Sequence, residues 1–313
     1  MTTETLEDTL FVREEETNLR LDKLLALRFP DHSRTYFQSL IENGHVLING
    51  KPCKKREKLA VNDEIEICFE LTPELTLEAE NIPLQILFED DDLLIINKPA
   101  GMVVHPAPGH YSHTFVNALL YHCKNLITTN PDPLRPGIVH RLDKNTSGAL
   151  IAAKTTFAHK ALVEMLSQRR IKKNYLTICL NTPSQTEIIA PIKRHPIKRQ
   201  EMAVVLEGGK EAVTYLSILS QNPEMALLDI GLITGRTHQI RVHLKHIGCP
   251  ILGDPVYGFS KVNQKWNISR QLLHARTLSF IHPRTNQMIE VKAPLPDDML
   301  SWITKFFPSY SLI

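Results

Sequence analysis

Apolar residues along the chain alternate between helical and extended spacing. Leu21, Leu24 and Leu25 recur at helical spacing up to a stop at Pro30. Tyr36, Phe37, Leu40 and Ile41 give a second helix, 34–42, one apolar face. Ser33 is placed to cap that helix and Gly44 to end it. Val46-Leu47-Ile48 reads as a strand, Asn49-Gly50 as a hairpin turn, and 64–69 as an alternating strand. Ile86-Leu87-Phe88 and Leu93-Leu94-Ile95-Ile96 flank four acidic residues and predict another hairpin. Helices are expected over 114–121, 155–167 and 296–307, with one more starting near Thr237. Strands are expected over 149–153, 176–180 and 227–232. The first of these is apolar without alternation, as in a strand covered on both faces.

These elements fall into two blocks. Residues 1–17 are acidic and carry no strong period beyond a short strand near Leu10-Phe11-Val12, so a flexible lead-in is expected. Residues 18–72 form a compact module. Residues 73–83 hold Pro73, Pro83, Glu74, Glu78 and Glu80, which suits an acidic linker. Residues 84–313 form the larger domain.

A 313-residue chain that is 42% hydrophobic and 22% charged has enough apolar surface for sizeable cores. No apolar run approaches the roughly 20 residues that span a bilayer. The first residues lack the basic-then-apolar order of a signal peptide, so a cytoplasmic protein without membrane contact is expected. The 5 cysteines are scattered and form no Cys-x-x-Cys pair, so reduced thiols are expected rather than disulfides or a zinc cage. The net charge of +2 says less than its distribution. Residues 18–60 and 166–199 are basic, and 61–92 are acidic without a Lys or Arg. Two basic blocks parted by an acidic one suit a protein that meets a polyanion on chosen surfaces. An ordinary solvated surface accounts equally for any one block.

The stretch that carries candidate chemistry is Gly137-Ile138-Val139-His140-Arg141-Leu142-Asp143-Lys144-Asn145-Thr146-Ser147-Gly148. Ile138 and Val139 read as the end of a strand, and 149–153 as the next one. Asp143 therefore sits on a turn between rigid elements, held by the scaffold yet open to a substrate. Arg141 and Lys144 beside it favour its ionised form. Read alone, such an aspartate is as readily a turn former.

The run His-Arg-Leu-Asp-x-x-Thr-Ser-Gly resembles the catalytic motif of the RluA family of RNA pseudouridine synthases, and within it the RluD-like branch that modifies large-subunit ribosomal RNA. Lys98-Pro99-Ala100-Gly101 and Gly235-Arg236-Thr237-His238-Gln239-Ile240-Arg241 resemble two further family motifs. Arg20-Leu21-Asp22-Lys23-Leu24-Leu25, Ser33-Arg34 and 44–51 resemble the S4 RNA-binding domain. The resemblance covers nearly all of the chain from about Asn18. It implies an α+β protein: a curved, mostly antiparallel mixed sheet with helices around it, plus a small α/β S4 module.

It also implies roles. Asp143 is the catalyst, whether by attack on the sugar, by addition to the base, or by removing a ribose proton. Arg236 pairs with Asp143, and Tyr175 stacks on the uracil and helps to remove the C5 proton. Arg141 fills the space left by a flipped uridine. Arg20, Lys23, Arg34 and Lys51 of the S4-like module, with Lys172, Lys173 and Arg199, meet RNA phosphates. The partner is RNA, expected to be large-subunit rRNA within ribosomal particles or their precursors, and the protein is expected to be a monomer. The isomerisation calls for no metal and no cofactor. His238, His243 and His246 lie close in sequence, but with no carboxylate or cysteine signature beside them hydrogen-bonding or surface roles are favoured. The alternatives are a pseudouridine synthase acting on another rRNA site or on tRNA and, from another class, a catalytically silent S4-containing RNA-binding or ribosome-assembly protein. A glycoside hydrolase would need a second carboxylate across the bond.

Overall fold

The computed structural model describes residues 5–17, 19–30, 32, 34–70, 77–106, 110–124, 126, 135–198 and 201–311. The chain divides into two compact units, Met1–Thr76 and Leu77–Ile313. The expected linker, 73–83, straddles that division, and its first four residues lie outside the described set.

The first unit contains β1 (Thr5–Phe11), α1 (Leu21–Arg28), α2 (Arg34–Glu42), β2 (Val46–Ile48), β3 (Lys51–Pro52) and β4 (Glu64–Glu70). Its sheet runs β1-β4-β2-β3, antiparallel throughout. The expected lead-in over 1–17 is corrected here. Thr5–Phe11 pairs with β4 over its whole length, and Val12 is buried in the core. The apolar run Leu10-Phe11-Val12 was the visible end of this strand; before it only Leu6 is apolar, too little to show a period. Leu21, Leu24 and Leu25 of α1 meet Phe37, Leu40 and Ile41 of α2 over the sheet. The capping role expected of Ser33 falls outside the described residues.

The second unit contains β5 (Ile86–Glu89), β6 (Leu93–Lys98), α3 (Phe115–His122), β7 (Ser147–Ala153), α4 (Thr156–Ser167), β8 (Lys172–Leu180), β9 (Glu187–Ile189), β10 (Ile192–Arg194), β11 (Met202–Val204), β12 (Val213–Gln221), β13 (Met225–Leu232), α5 (Gln239–His246), α6 (Ser260–Lys265), β14 (Leu273–Ile281), β15 (Met288–Lys292) and α7 (Asp297–Phe306). A nine-stranded sheet follows the order β5-β6-β7-β14-β8-β13-β12-β9, with β15 beside β14. All its neighbours are antiparallel except β7 and β14. This is the mixed, mostly antiparallel α+β architecture expected.

The unbroken apolar runs explain how the sheet is covered. In β6, Leu94 and Ile96 enter one core while Leu93 and Ile95 enter the other. In β7, Leu150 and Ala152 share the first core, and Ala149, Ile151 and Ala153 the second, under Leu162 and Met165 of α4. Each fully buried Leu or Ile contributes about 1.5–3 kcal/mol, so these two strands anchor the middle of the domain. Thr114 and Thr155 cap α3 and α4 with their hydroxyls.

Three local expectations differ in detail. Ile138 and Val139 form only a bridge, Ile138 to Ala152, not a strand. The basic stretch 191–200, whose two prolines predict a loop, is a hairpin in part: Ile192–Arg194 pairs with Met202–Val204. β8 begins at Lys172, so Lys172 and Lys173 are strand residues.

Candidate active site

Asp143 lies in the loop that enters β7, and the chain around it is tied down on several sides. The Thr146 N–H donates to the Asp143 carbonyl at 3.0 Å and the Gly101 N–H to the Lys144 carbonyl at 2.8 Å. Lys98 is fully buried, and its ammonium donates to the carbonyls of Pro99, Met102 and Lys144 at 2.8, 2.9 and 3.1 Å. Burial brings its pKa down to about 7, against the pull of the Asp143 charge. The Lys98-Pro99-Ala100-Gly101 turn thus grips the loop that carries Asp143. From the other side Arg270 Nη1 donates to the Asn145 carbonyl at 3.2 Å and Gln271 to Thr146 Oγ1 at 3.3 Å. His140 Nε2 accepts the Ile151 N–H at 3.1 Å, and burial lowers its pKa to about 3, so the ring is a neutral acceptor.

The start of β7 requires a glycine. Gly148 has φ +114°, and a Cβ there would lie 2.3 Å from the Ala275 carbonyl oxygen across the parallel pairing with β14. Beside it Ser147 Oγ meets His274 Nδ1 at 2.9 Å, and His274 Nε2 faces the Ala293 carbonyl at 3.3 Å. Burial lowers the His274 pKa to about 4, which keeps the ring neutral.

Asp143 opens into a cleft of about 400 Å³ whose lining includes Arg141, Lys173, Tyr175, Arg236, His238 and Arg241. The central contact is Arg241 Nη1 to Asp143 Oδ2, 2.9 Å. Arg241 is itself held by a bidentate pair, Nε and Nη2 to the two oxygens of Asp254 at 2.7 and 2.9 Å. Asp254 is buried and also accepts the N–H groups of Val256 and Tyr257 at 2.9 Å each. Burial pulls the Arg241 pKa down, but the carboxylates of Asp254 and Asp143 more than offset it and raise it above its usual value. A guanidinium fixed by one carboxylate thus presents its remaining nitrogen to another.

The expected pairing of Arg236 with Asp143 is therefore corrected. Arg236 lines the cleft, but its Nε donates to the Glu211 carbonyl at 3.0 Å and its N–H to Gln239 Oε1 at 2.9 Å. The cause is the helix start. α5 begins at Gln239, after a left-handed His238, rather than at Thr237. Arg241 then falls in its first turn, buried against Asp143. Asp254 had no signal of its own, because it stands in a Gly-Asp-Pro turn whose residues all favour turns.

Tyr175 opens the buried part of β8 and lines the cleft. Burial, then the Asp143 charge, raises its pKa above the usual tyrosine value, so it is a phenol at neutral pH. Lys173 is half-buried in the cleft wall, where burial lowers its pKa; Lys172 and Arg141 are exposed. Arg199 lies outside the described residues. In the first unit Lys23 and Lys51 are exposed. Arg20 and Arg34 are not free cations. Both fork onto the fully buried Asp22, with Nε–Oδ distances of 3.0 Å in each case, and Gln38 joins them.

Of the three histidines, His238 and His243 hydrogen-bond and His246 is exposed. His243 meets Thr214 Oγ1 and the Ala190 carbonyl at 2.9 Å each. Away from the cleft, Glu89, His122 and Cys123 bring ligand atoms within 4.8 Å of one another. Lys154 already donates to Glu89 there at 2.7 Å, placing a cation where a metal's charge would go.

The chain resembles known proteins along nearly its whole length. The RNA pseudouridylate synthase family matches residues 92–246, and the S4 domain matches residues 19–65. A Bacillus subtilis protein named "uncharacterized RNA pseudouridine synthase YlyB" is 43% identical over 93% of this chain and 95% of its own. "Ribosomal large subunit pseudouridine synthase D" of Zymomonas mobilis is 43% identical over 91% of this chain and 93% of its own. The Escherichia coli K12 protein of the same name is 41% identical over 94% and 93%. Among solved structures, human RNA pseudouridylate synthase domain containing 1 is 25% identical, with a TM-score of 0.56 over 70% of this chain and 86% of that one. With a motif aspartate gripped by arginine in a cleft, and relatives of one activity along nearly its full length, the chain belongs to the RNA pseudouridine synthases, isomerases of uridine in RNA, and carries an amino-terminal S4 domain.

Proposed function

We propose that this enzyme converts specific uridines of large-subunit (23S) ribosomal RNA to pseudouridine, with Asp143 as the catalytic group. The RNA target follows the names of relatives above 40% identity. The observation that carries the catalytic reading is the Arg241–Asp143 contact inside the cleft. Detaching the base from C1′ and rejoining it through C5 demands an anionic oxygen with a fixed direction. One Asp143 oxygen is held by Arg241, which leaves the other for the substrate. The three routes, attack on C1′, addition to the base and removal of a ribose proton, all draw on that oxygen.

Tyr175 stacks on the extruded uracil. As a phenol it takes up the C5 proton only after giving its own away, so stacking and hydrogen bonding come first in its role. Arg141, at the exposed lip, fills the place of the flipped nucleotide, and Lys172 and Lys173 meet phosphates on the same side. Arg236 belongs to the cleft wall as a phosphate or base contact. In the S4 domain Lys23, Lys51 and the outer faces of Arg20 and Arg34 meet RNA backbone, and Arg199 adds to the basic stretch before β11. In this reading the protein acts in the cytoplasm as a monomer on ribosomal particles or their precursors.

Asp143→Asn tests the reading. Asn is close in shape and keeps the turn, but it is neither an anionic nucleophile nor a base. Tritium release from C5-labelled uridine should fall below detection. RNA affinity should stay within about tenfold, about 1.4 kcal/mol, because phosphate contacts supply most of it. Wild-type release rates in the variant would refute the assignment. Mapping pseudouridines in rRNA from cells with and without the gene tests the target.

A further inference from the structure

His238 stands just before α5 in the left-handed backbone region, φ 56° and ψ 20°. It lines the cleft, with Nε2 3.9 Å from Asp143 Oδ1. Its other nitrogen, Nδ1, is 2.8 Å from the Tyr257 hydroxyl. That hydroxyl oxygen already accepts the Met202 N–H from β11 at 2.8 Å. The phenol proton is then left to donate to Nδ1, which places the ring proton on Nε2, facing Asp143. Tyr257 is almost fully buried, so this bond does not compete with water.

The surroundings keep the ring uncharged. Burial lowers the His238 pKa most; Asp143 and Asp254 pull it up, and Arg241 and Arg141 push it down. Asp143 thus has a different neighbour at each oxygen. Oδ2 is held by Arg241 at 2.9 Å, and Oδ1 faces a neutral N–H at 3.9 Å, about 1 Å longer than an ordinary hydrogen bond.

We propose that His238 is a positioning residue: its Nε2–H sets the rotation of the Asp143 carboxyl about the Arg241 contact, and Tyr257, held by the β10–β11 hairpin, sets which nitrogen of His238 carries the proton. In this proposal the gap to Oδ1, about 1 Å longer than an ordinary hydrogen bond, closes when the carboxyl turns as substrate binds. The hairpin that carries Lys193 and Arg194 is thereby joined to the catalytic carboxylate through a backbone N–H, a phenol and an imidazole. The proposal rests on the reading of Asp143 as catalyst.

Two substitutions separate the ring's two nitrogens. In His238→Gln the side-chain amide reaches the place of Nε2. In His238→Asn it reaches only the place of Nδ1, and Asn is the better residue for a left-handed backbone. Single-turnover tritium release, RNA affinity by filter binding and Tm are measured on the full chain. His238→Asn should turn over at least about tenfold more slowly, with RNA affinity and Tm near wild type. His238→Gln should recover most of that loss, despite being the poorer fit to the backbone. Equal losses in both variants, or a wild-type rate in His238→Asn, would overturn the proposal. A wild-type protein that releases no tritium from any cellular RNA refutes the Asp143 reading instead, and this assignment with it.

Discussion

Asp254→Asn removes one charge from a residue that does not line the cleft, and it should affect both stability and turnover. Asp254 holds two of the three Arg241 contacts described, at 2.7 and 2.9 Å. Asn keeps an oxygen for the Val256 and Tyr257 N–H groups, but its NH₂ now faces a guanidinium N–H. Arg241 is only 6% exposed, so water cannot replace the lost partner. Breaking a buried ion pair from one side costs about 3–5 kcal/mol; retention of the Asp143 contact brings the expected loss to the lower end, about 3 kcal/mol. For a unit of this size that is about 6–12 °C in Tm. Turnover should fall about ten- to a hundredfold, because Arg241 no longer has a fixed angle from which to hold Asp143. RNA affinity should hold, since no phosphate contact has changed. Thermal unfolding followed by circular dichroism, beside single-turnover tritium release, reads both effects. A variant with wild-type Tm and wild-type rate would show that Arg241 is held by something other than Asp254.

Tyr175→Phe should leave folding intact and slow turnover severely, since the ring still packs and stacks without its hydroxyl; near-normal tritium release would remove Tyr175 from the chemistry. Deleting residues 1–76 should weaken RNA binding and flatten its dependence on salt, because fewer phosphates are neutralised; an unchanged slope of affinity against salt would mean that the S4 domain does not touch this RNA. Burial alone would raise the Asp22 pKa, but hydrogen bonds from Arg34, Gln38 and Arg20 bring it down to about 2. With the folded pKa below the unfolded value of about 3.9, its stabilisation is present above that value and lost as pH falls toward 2. Acid titration of wild type and Asp22→Asn should therefore diverge at neutral pH and converge in acid; parallel curves would contradict the clamp.

What could be read from the sequence depended on how local each signal was. The two S4 helices and β6 were legible because their apolar periods lie within a few residues of one another. The Asp143 loop was legible through an unusually long motif. The partner of Asp143 was misread by five positions within one motif, since Arg236 and Arg241 are equally basic and only the true start of α5 tells them apart. That start depends on a left-handed His238 held by Tyr257 through the contact at 2.8 Å, which lies well outside the motif. Asp254 and the Arg20–Asp22–Arg34 clamp were missed as buried ion pairs for the same reason. Polar residues on a page carry no mark of burial. β1 escaped because its partner β4 lies beyond both helices, and pairing rather than composition makes it a strand.

The place of β14 in the sheet bears on when the enzyme becomes competent during its synthesis. β14 lies between β7 and β8, although it follows them by roughly a hundred residues. Until it emerges from the ribosome, β7 and β8 cannot adopt their final separation, and the nascent sheet has a vacancy at its centre rather than at an edge. The same late segment delivers Arg270, Gln271 and His274 to Asn145, Thr146 and Ser147. The loop carrying Asp143 is thus made early but fastened late. A growing chain thus has its S4 domain complete long before Arg270, Gln271 and His274 arrive to fasten the Asp143 loop.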